Sequence, residues 1–184
     1  MTTDTVTNAH SATPSDSSAS PIRLLFAASI LGAVVGVLFI IVQPWFGMAT
    51  LTSRHAAAYQ ELGNWAAAPA VIIAWIAHLA VSVFYGFISG LVILKYRSLG
   101  IIALFTLAFS WITTLIAPPA NALIVQLVSF QQIRPEALPG LNFLLDAKFF
   151  LHLWFFVAIV AVLYVYQNRR QRGEENTHLS EVTS

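Results

Sequence analysis

The chain contains no cysteine and very few charged residues. The absence of thiols excludes disulfides, thiolate catalysis and iron–sulfur ligation. Charged residues make up 9% of the 184 positions, whereas an ordinary soluble domain carries roughly 25%. The net charge of +1 provides no basic stripe for phosphates, which excludes nucleic acid as a partner. Because 58% of the residues are hydrophobic, polar surface is too scarce to cover a soluble core, and we expect a lipid bilayer to surround the protein.

Four long apolar stretches predict four membrane-spanning helices. They cover about residues 22–43, 70–94, 100–117 and 148–167. Each is long enough to cross a hydrocarbon layer of ~30 Å as a helix. The predicted fold is therefore an all-α membrane protein, a four-transmembrane-helix bundle over residues 22–168.

Polar tails flank this predicted domain. Residues 1–21 and 169–184 cannot bury enough apolar surface to offset their ordering entropy, and we predict disorder for both. For the first apolar stretch, residues 22–43, the alternative to a membrane span is a cleaved leader with its cleavage site at Gly47–Met48–Ala49. Its apolar run exceeds the ~7–15 residues of a signal peptide, which favours a membrane span.

Two prolines are expected to end the third span. Pro118 and Pro119 cannot extend a regular helix. The apolar residues 121–130 that follow are too few to cross a bilayer. We therefore predict an interfacial helix in the second outer loop.

In the first outer loop, the alanine run 56–58 allows a short helix at the interface.

Basic residues predict the orientation. One side of the predicted bundle carries six of them and the other carries three, Arg54, Arg134 and Lys148. The richer side should be cytoplasmic, so both termini are expected inside and the two longer loops outside.

Small and polar residues recur every fourth position along the second span. Residues four apart lie on one helix face, so this stripe should face protein and not lipid. Its members are Ala74, His78, Ser82, Gly86 and Gly90. The first span offers a matching small surface for helix packing, formed by Ser29, Gly32 and Gly36.

His78 and His152 lie inside the four spans, whereas the charged residues lie at or beyond the ends. An ionisable side chain inside a span is costly and commonly functional. Chain direction places both in the outer half of the bundle, within ~8 Å of each other along the membrane normal. One interpretation is structural hydrogen bonding. A second is proton handling, because imidazole titrates near neutral pH, with Ser82 and Asp146 as further proton- or ligand-binding residues.

Two further interpretations involve a bound group. Paired imidazoles on separate helices are the ligand geometry of haem b, so His78 and His152 are its candidate axial ligands. A metal site would add Asp146, although the spacing matches no recognised zinc pattern. Signatures such as GxSxG, HExxH and a phosphate-binding loop are missing, and we predict a protein that is not an enzyme.

Several elements in order resemble the YagU-type bacterial inner-membrane proteins. They are Gly32–Gly36, His78 with Ser82, Pro118–Pro119, the run His152–Leu153–Trp154–Phe155, and Arg169 with Arg170. The resemblance covers most of residues 24–172 and implies about four membrane helices in a bacterial inner membrane. It implies no substrate. The chain departs from the family in its longer Ser/Thr-rich tail and its lack of cysteine.

The predicted function is proton or small-ligand handling through the two histidines, without a cofactor. The alternatives are a haem b electron-transfer subunit and a structural partner of another membrane protein. A homo-oligomer is compatible with the small-residue faces.

Overall fold

A computed structural model describes residues 21–130 and 132–182, with only the backbone described at 170, 171 and 173–182. The predicted tail over 1–21 lies, apart from Pro21, outside the described residues. The described chain forms five α-helices: α1 Pro21–Val42, α2 Leu51–Gly63, α3 Ala67–Lys95, α4 Leu99–Val128 and α5 Ala147–Val182. Short 3₁₀ turns occupy Gln43–Phe46 and Pro135–Ala137.

Four segments are long and apolar enough to cross a membrane. They are Pro21–Phe46, Ala67–Lys95, Leu99–Val128 and Ala147–Arg169. Large apolar side chains cover their outer surface; Phe26 is 68% exposed and Leu104 66% exposed. Such a surface is stable only against hydrocarbon. The predicted all-α four-helix membrane bundle is confirmed.

Helices α1 and α3 form the closest contact, through glycines. A Cβ added at Gly32 would overlap the Ser82 carbonyl oxygen and lie 2.8 Å from Gly86 Cα. A Cβ added at Gly86 would overlap the Ala28 carbonyl oxygen. The two backbones thus touch where both residues lack side chains, as the small-residue pattern predicts. Ala28, rather than the neighbouring Ser29, is the α1 residue that meets this part of α3.

Helix α5 completes the core by packing against α1, α3 and α4. Its buried apolar residues form one cluster with those of α1. The members from α5 include Leu151, Phe155, Phe156 and Ile159. By contrast, α3 and α4 touch each other only slightly although they follow each other in sequence. This leaves a cleft between them on one side of the bundle.

The predicted end of the third span at Pro118–Pro119 is wrong. Helix α4 runs through both prolines to Val128, so the expected interfacial helix is the last part of α4. Pro119 has no N–H to donate to the carbonyl of Leu115, four residues earlier. The backbone N–H of Asn142 donates to that carbonyl instead, at 2.9 Å. A donor from the second loop therefore satisfies the helix where proline leaves an acceptor free.

Helix α2 lies at the same end of the bundle, across the start of α3 and the end of α4. The Thr50 hydroxyl caps it by accepting from the Ser53 N–H at 3.2 Å. Tyr59 is fully buried in a cluster with Ala70 and Val125. The short helix predicted around 56–58 is confirmed and extends over 13 residues.

Helix α5 begins immediately after Asp146. The Asp146 carboxylate accepts from the N–H groups of Lys148 at 2.9 Å and Phe149 at 3.3 Å. Both are free donors of the first helical turn. At its other end α5 continues to Val182, where the sequence predicts a disordered tail from 169 onward. The run after 169 contains arginine, glutamine and glutamate, which favour helix, and this lets the membrane helix continue.

Candidate functional site

His78 is held against α1 by a direct hydrogen bond. Its Nε2 donates to the backbone carbonyl of Gly36 at 2.8 Å. Gly36 also lies directly against Ser82 of α3, because an added Cβ would overlap the Ser82 hydroxyl. With the proton on Nε2, the Nδ1 of this neutral ring is a hydrogen-bond acceptor.

His152 is held by α4. The Thr114 hydroxyl donates its one hydrogen to the Ser110 carbonyl at 2.8 Å. At 2.9 Å from His152 Nδ1, the same hydroxyl must therefore accept from that nitrogen. This assigns the proton to Nδ1 and makes Nε2 the acceptor.

Phe39 connects the two histidines. Its ring centroid lies 5.9 Å from that of His78 and 5.5 Å from that of His152. The common contact brings the two imidazoles to one part of the bundle, and their similar depth in the membrane stays a prediction. Both line one cavity of about 290 Å³, which we term the histidine cavity. Its lining also includes Ser82, Thr113 and Asn121.

The remaining predicted site residues have separate roles. Ser82 lines the histidine cavity, and its hydroxyl donates to the His78 carbonyl at 2.9 Å. Asp146 is the N-cap of α5 and is not among the residues lining either described cavity. The packing stripe of α3 is buried as predicted, including Gly86 and Gly90. Ser29 is half-buried on α1.

A second cavity of about 580 Å³ adjoins the first, and we term it the basic cavity. Arg54 from α2, Arg134 from the second loop and Lys148 from α5 all line it. His152 and Phe39 line both cavities. The sequence placed the three basic residues on one side of the membrane. It could not show that they converge, because they come from three separate segments.

His55 is a functional candidate that the sequence did not single out. It lines the basic cavity and is 7% exposed, and neither ring nitrogen has a hydrogen-bond partner among the described residues. Burial is the main cause that lowers the pKa of His55 to about 4, and the neighbouring charge of Arg54 contributes. The ring is therefore neutral near pH 7 and presents one donor and one acceptor. The sequence places His55 in the loop between the first two spans, where burial of a side chain is not expected.

The geometry bears on the bound groups considered from the sequence. Within the described part of the chain, no three His, Asp or Glu side chains come together as a metal site. His78 commits Nε2 to the Gly36 carbonyl, and the Phe39 ring contacts both imidazoles. These contacts do not favour a haem iron shared by His78 and His152, which an absorption spectrum can test directly.

No protein-family model, curated protein or solved structure matches the chain. The resemblance to the YagU-type proteins therefore stays a prediction.

Proposed function

We propose that this integral membrane protein binds a small amphiphilic molecule in the histidine cavity, as a binding protein and not as an enzyme. One observation carries the proposal. Two imidazoles on different helices are each fixed by a hydrogen bond to a neighbouring helix, and both line the same cavity. Each is left with an unprotonated nitrogen, so the matching ligand carries a hydroxyl or another hydrogen-bond donor.

The route of entry supports a ligand that partitions into lipid. The histidine cavity is also lined by Val81 and Phe84 of α3 and by Ile116 of α4. These three side chains are exposed, Phe84 by 56%, beside the cleft between α3 and α4. A molecule dissolved in the bilayer would reach the histidines through this cleft without crossing water.

Ligand binding is favoured over proton conduction by the contacts of the rings. His78 and His152 each donate to a group on another helix, and each contacts the ring of Phe39. Phenylalanine has no group that relays a proton. A polar ligand among Ser82, Thr113 and the two histidines would satisfy the acceptors that remain.

We also propose which membrane holds the protein and on which side its termini lie. The sequence resemblance and the basic residues support a bacterial inner membrane with both termini in the cytoplasm. The cavities would then lie towards the outer face. Reporter fusions at each terminus test this: activity of a cytoplasmic reporter at both ends is expected, and an exported reporter active at either end contradicts it.

Binding can be tested with a neutral probe, 1,3-dodecanediol, which combines hydroxyl donors with an apolar chain. We would measure binding of the tritiated probe to protein in phosphatidylcholine nanodiscs, after subtracting empty discs. The double variant H78L/H152L should bind about tenfold more weakly, because it loses both acceptors. The control S89A removes a hydroxyl that bonds only within α3 and should bind normally.

The variant H78Q/H152Q separates binding from folding, because its amides retain hydrogen-bonding groups at both positions. It should bind the diol more tightly than H78L/H152L. Equal binding by wild type and a folded H78L/H152L would refute the proposed function.

A further inference from the structure

The three basic residues at the α2 end of the bundle surround one space. Arg54, Arg134 and Lys148 line the basic cavity from three different elements, and none of its described lining residues is Asp or Glu. Cations that share a cavity raise its potential and concentrate anions there. The remaining lining is mixed, with Leu51 and Met48 among the apolar members.

Two of these charges are unpaired within the described chain. Lys148 Nζ lies 3.9 Å from Asp146 Oδ2, in a solvent-exposed pair that contributes little. Neither Arg54 nor Arg134 forms an ion pair with a described residue. Their guanidinium groups are therefore free to take an anion with two parallel hydrogen bonds each.

His55 provides an independent indication of a ligand in this cavity. Its ring is more than nine-tenths buried, and both nitrogens lack a protein partner. Buried polar groups in folded proteins are almost always hydrogen-bonded, so an unpartnered imidazole on a cavity wall indicates a site for a polar molecule. Because His55 is neutral near pH 7, its N–H can donate to an anionic oxygen without competing for the charge.

The basic and histidine cavities adjoin each other. His152, Phe39, Leu51 and Asn121 are among the residues that line both. His152 therefore lies at the boundary between a cationic space and one that reaches the lipid.

We infer that the natural ligand is an anionic amphiphile with a hydroxyl near its charged group, its carboxylate or phosphate lying between Arg54 and Arg134 and its chain in the histidine cavity. The inference rests on the proposed function and adds that the ligand carries a negative charge. The hydroxyl donates to an imidazole at the boundary, and the chain leaves through the cleft between α3 and α4. A hydroxylated fatty acid and an anionic phospholipid share this chemistry.

The test compares 3-hydroxydodecanoate with its uncharged analogue 1,3-dodecanediol, in the nanodiscs described above. The acid should bind wild type about tenfold more tightly than the diol. The variant R54Q/R134Q should lose this preference while its diol affinity stays unchanged. R97Q, which removes an arginine at the opposite end of the bundle, is the matched control and should retain the preference.

The variant R54K/R134K keeps both charges and should retain most of the preference for the acid, which separates electrostatics from misfolding. If R54Q/R134Q still prefers the acid as wild type does, the inference is overturned. The proposed function then survives as long as diol binding depends on His78 and His152. Displacement of the acid by inorganic phosphate at equal concentration would also overturn it, because the chain would then contribute nothing.

The lipid in the disc identifies the source of the anion. If phosphatidylglycerol in place of part of the phosphatidylcholine blocks binding of 3-hydroxydodecanoate, the site takes a membrane phospholipid. If binding is unchanged, the site takes a free hydroxy acid. Either result supports an anionic amphiphile.

Discussion

Helix α3 has two very different neighbours. Against α1 its backbone is in contact at Gly86, with no room for a methyl group, whereas against α4 it leaves a cleft beside the histidine cavity. The first contact is built from residues without side chains. The second surface carries Val81 and Phe84, which face outward.

The difference separates the part of the bundle that fixes the helices from the part where we propose that a ligand enters. Close backbone contact between α1 and α3 places His78 at the Gly36 carbonyl. The loose side allows space next to that ring without disturbing the contact. Stability and binding should therefore respond to different substitutions, and four predictions test this division.

The largest loss of stability is expected for Gly32→Ala. The added methyl meets backbone atoms of Ser82 and Gly86, which cannot rotate away as a side chain would. We expect a loss of about 3 kcal/mol in the free energy of unfolding, the upper part of the range for overpacking. Unfolding in mixed micelles measures it. Gly140→Ala is the control, because nothing lies within 4 Å of its added Cβ; equal stability of the two variants would contradict the close contact.

Thr114→Val should cost less, about 1–2 kcal/mol, because it removes the hydroxyl that lies 2.9 Å from His152 Nδ1 in a nearly isosteric site. Thr106→Val is the matched control. Its hydroxyl bonds only to the Ile102 carbonyl of the same helix, so its loss should be smaller. The same unfolding assay compares the two variants. An equal loss of unfolding free energy in both would show that the contact between Thr114 and His152 adds no stability.

Acid should destabilise the α2 end through His55. Its pKa falls from 6.5 to about 4 on folding, so between these values the unfolded chain binds the proton more readily. Stability present above pH 6.5 is therefore lost as the pH falls towards 4. We expect about 1 kcal/mol, less than the shift alone implies because a charged ring can take up water.

Thermal unfolding of wild type and His55→Leu over this pH range isolates the effect, because the other histidines are common to both. The leucine variant should show the shallower dependence on pH. If thermal unfolding of both proteins depends on pH in the same way, His55 is exposed to water and does not line the basic cavity.

The smallest effect on stability is expected on the open side. Val81→Trp adds volume in the cleft, where nothing is tightly packed, and should change the free energy of unfolding by no more than about 0.5 kcal/mol. It should nevertheless block diol binding. Val37→Trp places the same ring on an exposed face of α1 outside both cavities and should alter neither property. Equal binding by both variants would show that the cleft is not the entrance.

Much of the bundle could be predicted because hydrophobicity and helical spacing are local properties of the sequence. The four spans follow from apolar length, and the buried stripe through His78 and Gly86 follows from its four-residue spacing. The similar depth predicted for His78 and His152 follows from chain direction and helical rise. These features require no knowledge of which helices are neighbours.

The remaining features depend on contacts between distant segments. Pro119 signals the end of a helix unless a donor arrives from elsewhere, and the N–H of Asn142 is such a donor. The basic cavity likewise depends on where α2 and the second loop lie. Asp146 is ambiguous in sequence, because a carboxylate before a helix suits both capping and proton transfer. Its bonds to Lys148 and Phe149 N–H show the cap, and its role in proton binding stays a prediction.

The bond from Asn142 to Leu115 fastens the second loop to the membrane helix through main-chain atoms alone. Every amino acid except proline supplies the same N–H, so this bond does not itself require the Asn142 side chain, whose Oδ1 accepts separately from the Leu144 N–H at 3.1 Å. Related chains can therefore diverge in this loop and still hold its backbone over the cavities. The two prolines of α4, usually regarded as helix breakers, would mark that attachment more reliably than the loop's own residues.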